Sequence, residues 1–356
     1  MGGGPAADAA GKRPEPDART KPSSLRQITR GSWRYLLSRS VREFVRHECL
    51  DLAAGLTYYG VLAVLPALIA TVSLLGVVGQ RSESVSTILD VAGRVVPASG
   101  LDIIRPVLER LTQSSGASFG LVVGVVVAVW FVAGYVGAFG RAVNRIYTMR
   151  EGRPIWKLRP LMILISVLLG LLCFCAVLLL VISGPLASAI GDVLGLGSTT
   201  VLIWNIIKWP ILAAIIVVVV AVLYYVTPNV RQPRFRWLSP GALLAIVTWF
   251  AGSGLFGLYV GNVSSYDAVY GSLAGVIVFL IWLWVTNTAL LLGAQLDAEI
   301  ERVRELQAGI RAEHHIQLPP RDTRASTKET AQHQHDIRAG RKLRHHHGDH
   351  TSTTDD

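Results

Sequence analysis

From Ala268 to Leu296 the chain runs for 29 residues without an Asp, Glu, Lys or Arg. As a helix the stretch measures about 44 Å, whereas roughly 20 apolar residues suffice to cross about 30 Å of hydrocarbon. A soluble core helix rarely avoids charge for so long, so this run predicts a chain built for a bilayer. It is flanked and interrupted by polar groups: Tyr266, Asp267 and Tyr270 at one end, Asn287 and Gln295 within, then Asp297, Glu299 and Glu301. Composition agrees. Hydrophobic residues make up 51% and charged residues only 16%, against about 25% charged in an average soluble domain.

A membrane-length window finds six candidate spans, near 54–79, 119–140, 160–183, 204–227, 238–261 and 270–296. The fold class expected is an all-α integral membrane protein with six transmembrane helices. Lys208 near the start of the fourth span is tolerable close to an interface, where it can snorkel. The loops orient the chain. Segments 1–51, 141–159, 228–236 and 297–356 hold 29 of the 34 Lys and Arg residues. By the positive-inside rule both termini are then cytoplasmic, and the pI near 9.8 follows from topology and needs no nucleic acid.

Two elements read as amphipathic and not spanning. In "WRYLLSRSVREFVRHECL", Trp33, Leu36, Leu37, Val41, Phe44 and Val45 keep helical spacing while Arg34, Arg39, Arg42 and Arg46 lie mainly elsewhere. An N-terminal interfacial helix on the inner leaflet is expected, or else a helix packed on the inner loops. Residues 82–115, broken by Pro97, predict short extracytoplasmic helices between spans 1 and 2. Residues 1–24 and 306–356 read as polar, disordered tails, the first without an apolar signal segment. Cys49, Cys173 and Cys175 make no disulfide framework. The tail run "LRHHHGDH" predicts at most weak, incidental metal binding, so no metal site and no cofactor is expected.

Three segments resemble the YihY/virulence factor BrkB family. "DLAAGLTYYGVLAVLPAL" (51–68) is similar to its first-span signature and "RAVNRIY" (141–147) to its basic loop. "SSYDAVYGSLAGVIVFLIWLWVTNTALLLGAQLDAEIER" (264–302) is similar to its most characteristic segment. The resemblance covers about residues 30–305. It implies a polytopic cytoplasmic-membrane protein whose molecular activity is poorly defined, some members having been labelled ribonuclease BN and others linked to serum resistance or envelope lipids. Asp267 departs from the neutral polar residue expected there.

The polar residues divide into four groups. Asn287 is either interhelical glue or the lining of a substrate path, together with Tyr58, Tyr59 and a kinking Pro66 in the first span. A cytoplasmic polar layer is expected from Asp51, Arg141, Asn144, Arg145, Arg153, Gln295, Asp297 and Glu299. In it the acids ending the last span pair with Arg141, Arg145, Arg153 and Arg159, and Gln295 meets headgroup water. Tyr266, Asp267 and Tyr270 form an outer interface. Gly120 with Gly124, Gly257 with Gly261 and Gly271 with Gly275 have the spacing of close helix packing.

Function then narrows to two classes. One is transport or flipping of a lipid or amphiphilic envelope precursor, with anionic headgroups held at the basic face. The other is a scaffold that moves nothing and binds a second copy or envelope protein partners. No Walker motif is present. The carboxylates and histidines do not cluster as a nuclease metal site requires, so an enzyme is not expected.

Overall fold

The computed structural model describes residues 14–22, 24, 27–78, 117–181, 198–233, 239–262 and 274–347. Every regular element among them is a helix. Helix α1 (Arg30–Arg46) begins where the Thr29 side chain accepts the Ser32 N–H, satisfying one of the four donors a helix start leaves open. Glu48, at φ 55°, takes the left-handed conformation and turns the chain straight into α2 (Cys49–Val78). There follow α3 (Ala117–Ile146), α4 (Ile155–Val181), α5 (Ser198–Val226), α6 (Pro240–Asn262), α7 (Ala274–Gln307) and α8 (Arg324–His347). Helix α6 opens on Pro240, whose absent N–H is no loss at a first position, and the preceding Ser239 Oγ accepts the Ala242 N–H at 3.0 Å.

Among the described residues, five helices are long and apolar enough to cross a membrane: Val122–Ile146, Ile155–Leu180, Leu202–Val226, Pro240–Gly261 and Ala274–Gln307. Helix α2, with 30 residues and Pro66 inside it, coincides with the first expected span. Large apolar side chains such as Trp130, Leu164, Leu171, Leu255 and Leu258 lie exposed along these helices. In water each would forfeit roughly 25 cal/mol per Å²; in hydrocarbon the exposure carries no such cost. The interior packs α2 on α3, α6 on α7, and α7 across α2, around Val136, Phe139, Leu223, Leu291, Ala294 and Ala298.

Among the described residues, a Cβ added to Gly257 or Gly261 would meet nothing within 4 Å. The tight crossing is at Gly241 and Gly293. A Cβ on either would collide with the other's carbonyl oxygen, and one on Gly293 would also come within 2.5 Å of the Tyr224 hydroxyl. Gly124 is buried; Gly271 lies outside the described residues, as do Tyr266, Asp267, Tyr270 and the segment 82–115.

Both expected tails contribute to the packed structure, a correction to the sequence reading. Lys21 is buried, as are Ala312, Ile316 and Leu318, and Val230 forms an isolated antiparallel bridge with Pro320. Their sparse apolar residues hid this, because the segments 14–24 and 308–322 bury against other elements and not against themselves. Helix α1 keeps its predicted helicity but divides its apolar stripe. Leu36 packs with Ile28, Ile300 and Val303, while Leu37, Val41 and Val45 stay exposed.

Candidate functional site

Deep in the apolar region, α7 presents Asn287, 2% exposed, to α2 and α3. Its Oδ1 accepts the Tyr135 hydroxyl at 2.8 Å, and its Nδ2 donates to Thr57 Oγ1 at 3.2 Å. Thr57 in turn donates to the Ala53 carbonyl, one helical turn back. The amide thus ties three helices, each interhelical bond typically contributing about 1 kcal/mol in a membrane. Tyr58, beside it in sequence, is largely exposed. Tyr59 turns inward, its ring 3.5 Å from where a Cβ on Gly134 would stand, and Pro66 is half-buried.

At the basic end of the bundle, one face of α7 is closed by charge pairing. Gln295 Oε1 lies 3.0 Å from His47 Nδ1. Glu299 pairs with Arg302 at 3.1 Å and with Arg39 of α1 at 3.2 Å. Arg302 also donates to the Ala312 carbonyl at 2.6 Å. Gln295, Glu299 and Arg302 are all essentially inaccessible, so Gln295 meets side chains and not headgroup water.

A second polar node joins the loops. Asn144 Oδ1 accepts the Asn229 N–H at 2.7 Å, and Asn144 Nδ2 donates to Glu151. Glu151 holds Arg153 at 2.7 Å, which donates to the Thr227 carbonyl. Asn229 reaches the Arg150 and Asp322 carbonyls and accepts the Asp322 N–H. Gly152 must be glycine, since a Cβ there would overlap the Asp322 carbonyl. Burial lowers the Arg321 pKa, yet its guanidinium still donates to the Val230 and Tyr225 carbonyls.

Between these nodes lies a cavity of about 570 Å³, walled by α5, the start of α6, α7 and, from the N-terminal segment, Asp17, Ala18, Arg19, Lys21, Ser24 and Ile28. Asp297 lines it, accepting from Ser239 Oγ at 2.5 Å and from the Gly241 N–H at 2.7 Å. Among the described residues no Lys or Arg stands within ion-pair distance of Asp297. One turn on, Glu301 is held by Lys21 at 2.8 Å and by Arg304 at 2.5 Å. Lys21 also reaches Glu305 at 3.2 Å, and Arg304 donates to the Pro22 carbonyl at 2.8 Å. The strap 17–22 is thereby latched over one side of the cavity. Tyr147 lines another side; burial, with the Asp297 and Glu301 carboxylates nearby, pushes its phenol well above the ordinary value. It is 4% exposed, and its hydroxyl has no hydrogen-bond partner among the described residues.

The acids of the expected polar layer have partners other than the expected arginines. The partners of Asp297, Glu299 and Glu301 come from α1, the N-terminal strap, Ser239 and α7 itself. Arg145 instead holds Glu48 at 2.6 Å, Arg159 lies over the Trp130 ring, and Arg141 and Asp51 are exposed. The sequence reading missed Lys21, Tyr147, Tyr224, Asn229 and Ser239. Only Ser239 carried a local signal, the Ser-Pro opening of a helix; the others owe their roles to long-range packing.

The family model described as virulence factor BrkB matches residues 40–316, which include α7, Tyr147, Ser239 and much of the cavity wall, but not Lys21, Ile28 or Leu318. The chain belongs to this family. Among its BrkB relatives, the putative ribonuclease-like protein YfkH of Bacillus subtilis is 26% identical over 74% of this chain and 94% of its own length. A UPF0761 membrane protein of Alkalilimnicola ehrlichii is 32% identical over 71% of this chain and 55% of its own. Another, from Laribacter hongkongensis, is 28% identical over 73% and 59%. The chain therefore spans little more than half the length of these last two. No solved structure matches. This is a membrane protein of the BrkB/UPF0761 type, and the family is not defined by an enzymatic activity.

Proposed function

We propose that this BrkB protein is a six-span protein of the cytoplasmic membrane that moves a lipid or amphiphilic envelope precursor between leaflets. The cavity at the basic end carries the reading. Ala221, Ala242, Ile300 and Leu318 give it apolar wall, while Asp297, Glu301, Tyr147 and Gln232 give it polar wall, a combination suited to a molecule with a head and a tail. Counting α2 as the sixth crossing makes the number even, and the excess of Lys and Arg then puts both termini and the cavity on the cytoplasmic side. The arginines exposed there suit anionic headgroups. The Asn287 contacts are breakable: parting α2 and α3 from α7 costs about 1 kcal/mol per hydrogen bond, so a path past Tyr59, Pro66 and Asn287 opens at modest cost. In this reading the chain is no enzyme and binds no nucleic acid.

Reconstitution in proteoliposomes with fluorescent phospholipids, followed by chemical quenching of the outer leaflet, tests it. Wild type exposes inner-leaflet label and a well-folded Asn287→Leu or Pro66→Ala variant slows this; full protection across several headgroups removes general lipid flipping. The second reading, a scaffold for envelope enzymes or for a second copy, draws on α8, which is exposed from Ala331 to His345 along a polar, basic helix.

A further inference from the structure

We propose that the cavity at the basic end binds an ammonium group, carried by an amine-headed amphiphile, between the Asp297 carboxylate and the Tyr147 hydroxyl. The inference rests on the reading that this cavity receives the head of an amphiphile, and it names the chemistry of that head. Asp297 spends one interaction on Ser239 and one on the Gly241 N–H. A carboxylate offers about four lone-pair sites, so acceptor capacity is left over, and no cation of the described chain is placed to use it.

Tyr147 is the independent observation. The residue is 4% exposed, and its hydroxyl, unbonded to any protein group among the described residues, borders the cavity that Asp297 and Glu301 also line. Its oxygen can accept from an ammonium that Asp297 also holds. Tyr224 adds its ring to the wall, as does Tyr225, whose ring already carries Arg321 at 5.1 Å. Glu301 is already covered by Lys21 and Arg304, and Asp17 and Arg19 also line the cavity. The acceptor capacity that Asp297 keeps is what holds the ammonium. Ile300 and Leu318 line the same space and suit the apolar part of the ligand.

The test is native mass spectrometry of the full chain with matched-chain phosphatidylethanolamine, phosphatidylcholine and phosphatidylglycerol. Phosphatidylcholine has the positive charge but no N–H to donate. Phosphatidylethanolamine is expected to be retained about tenfold better than either, the worth of one hydrogen bond to a charged group. Asp297→Asn abolishes that preference, and Tyr147→Phe, which keeps the ring and its packing, reduces it roughly threefold. Free ethanolamine displacing the lipid at equal concentration assigns the ammonium site to a soluble amine; failure to displace assigns it to the lipid. Equal retention of all three lipids overturns the inference, as does a preference that survives in both variants once each unfolds at the wild-type temperature. Flipping without headgroup preference breaks only the ammonium assignment. Ammonium-dependent binding without any flipping breaks only the transport reading.

Discussion

Two faces of the last turns of α7 carry the same kinds of residue and use them differently. Gln295, Glu299 and Arg302 lie at successive turns on one face; Asp297, Glu301 and Arg304 repeat the pattern on the other. On the first, α1 and residues 308–322 close over the side chains, and Glu299 answers to Arg39 and Arg302. On the second, Lys21 covers Glu301, while among the described residues no Lys or Arg pairs with Asp297, which lines a cavity with Tyr147. Charge alone therefore does not mark a site. What distinguishes the two faces is whether each carboxylate is paired with a cation among the described residues.

The largest effect that can break this contrast is on the closed face. Arg302→Ala strands Glu299 with Arg39 alone and removes the donor to the Ala312 carbonyl. Removing one partner of a buried pair typically costs about 3–5 kcal/mol. Unfolding in mixed micelles should show a loss of this size, and a loss under about 1 kcal/mol would mean the closed face is merely crowded. Asn287→Leu comes next, at about 2 kcal/mol, because Tyr135 and Thr57 each lose a neutral partner worth about 1 kcal/mol. Flipping abolished at that small cost would turn the amide from glue into part of the path.

Asp297→Asn should be smaller still. The amide oxygen can keep the Gly241 bond, and the variant strands no cation, so a change within about 1 kcal/mol is expected in the same unfolding measurement. A loss matching that of Arg302→Ala would make Asp297 a structural acid, and the two faces would be equivalent after all.

Much of this was readable beforehand, and the unread part has a common cause. Spans follow from runs of apolar residues, which is local information, so α3 to α7 fell close to their predicted places. The helicity of α1 was equally local. Pairing is not: Lys21 finds Glu301 across 280 residues of chain, and nothing near either residue announces it. The glycines taught the same lesson. Gly257 and Gly261 had the spacing of a packing motif, yet the collision that matters is between Gly241 and Gly293, which have no such spacing and meet only because α6 and α7 cross there. Tyr147 ends the quoted "RAVNRIY" stretch, but its exposure to a cavity depends on where α5 and α7 stand.

The smallest effect concerns the segment that sequence reading left as tail. The Asp322 carboxylate accepts the Arg324 N–H at 3.0 Å and faces Lys157 at 3.1 Å, and these bonds lower its pKa below the ordinary carboxylate value. A carboxyl whose folded pKa is depressed favours the folded form fully above its unfolded value near 3.9, and loses that contribution as pH falls through the folded pKa. Acidification from neutral pH should therefore loosen the start of α8 only below about pH 4. The effect is small because exposed pairs contribute little and because neutral bonds remain: Arg321 N–H to the Asn229 carbonyl and Ala325 N–H to the Gly152 carbonyl do not titrate. Hydrogen exchange of amides 321–327, corrected for intrinsic rates, reads it directly. Protection should fall in acid for the wild type and stay level for Asp322→Asn; the same acid loss in both would assign the loosening to another group and leave this end of the molecule held by its backbone alone.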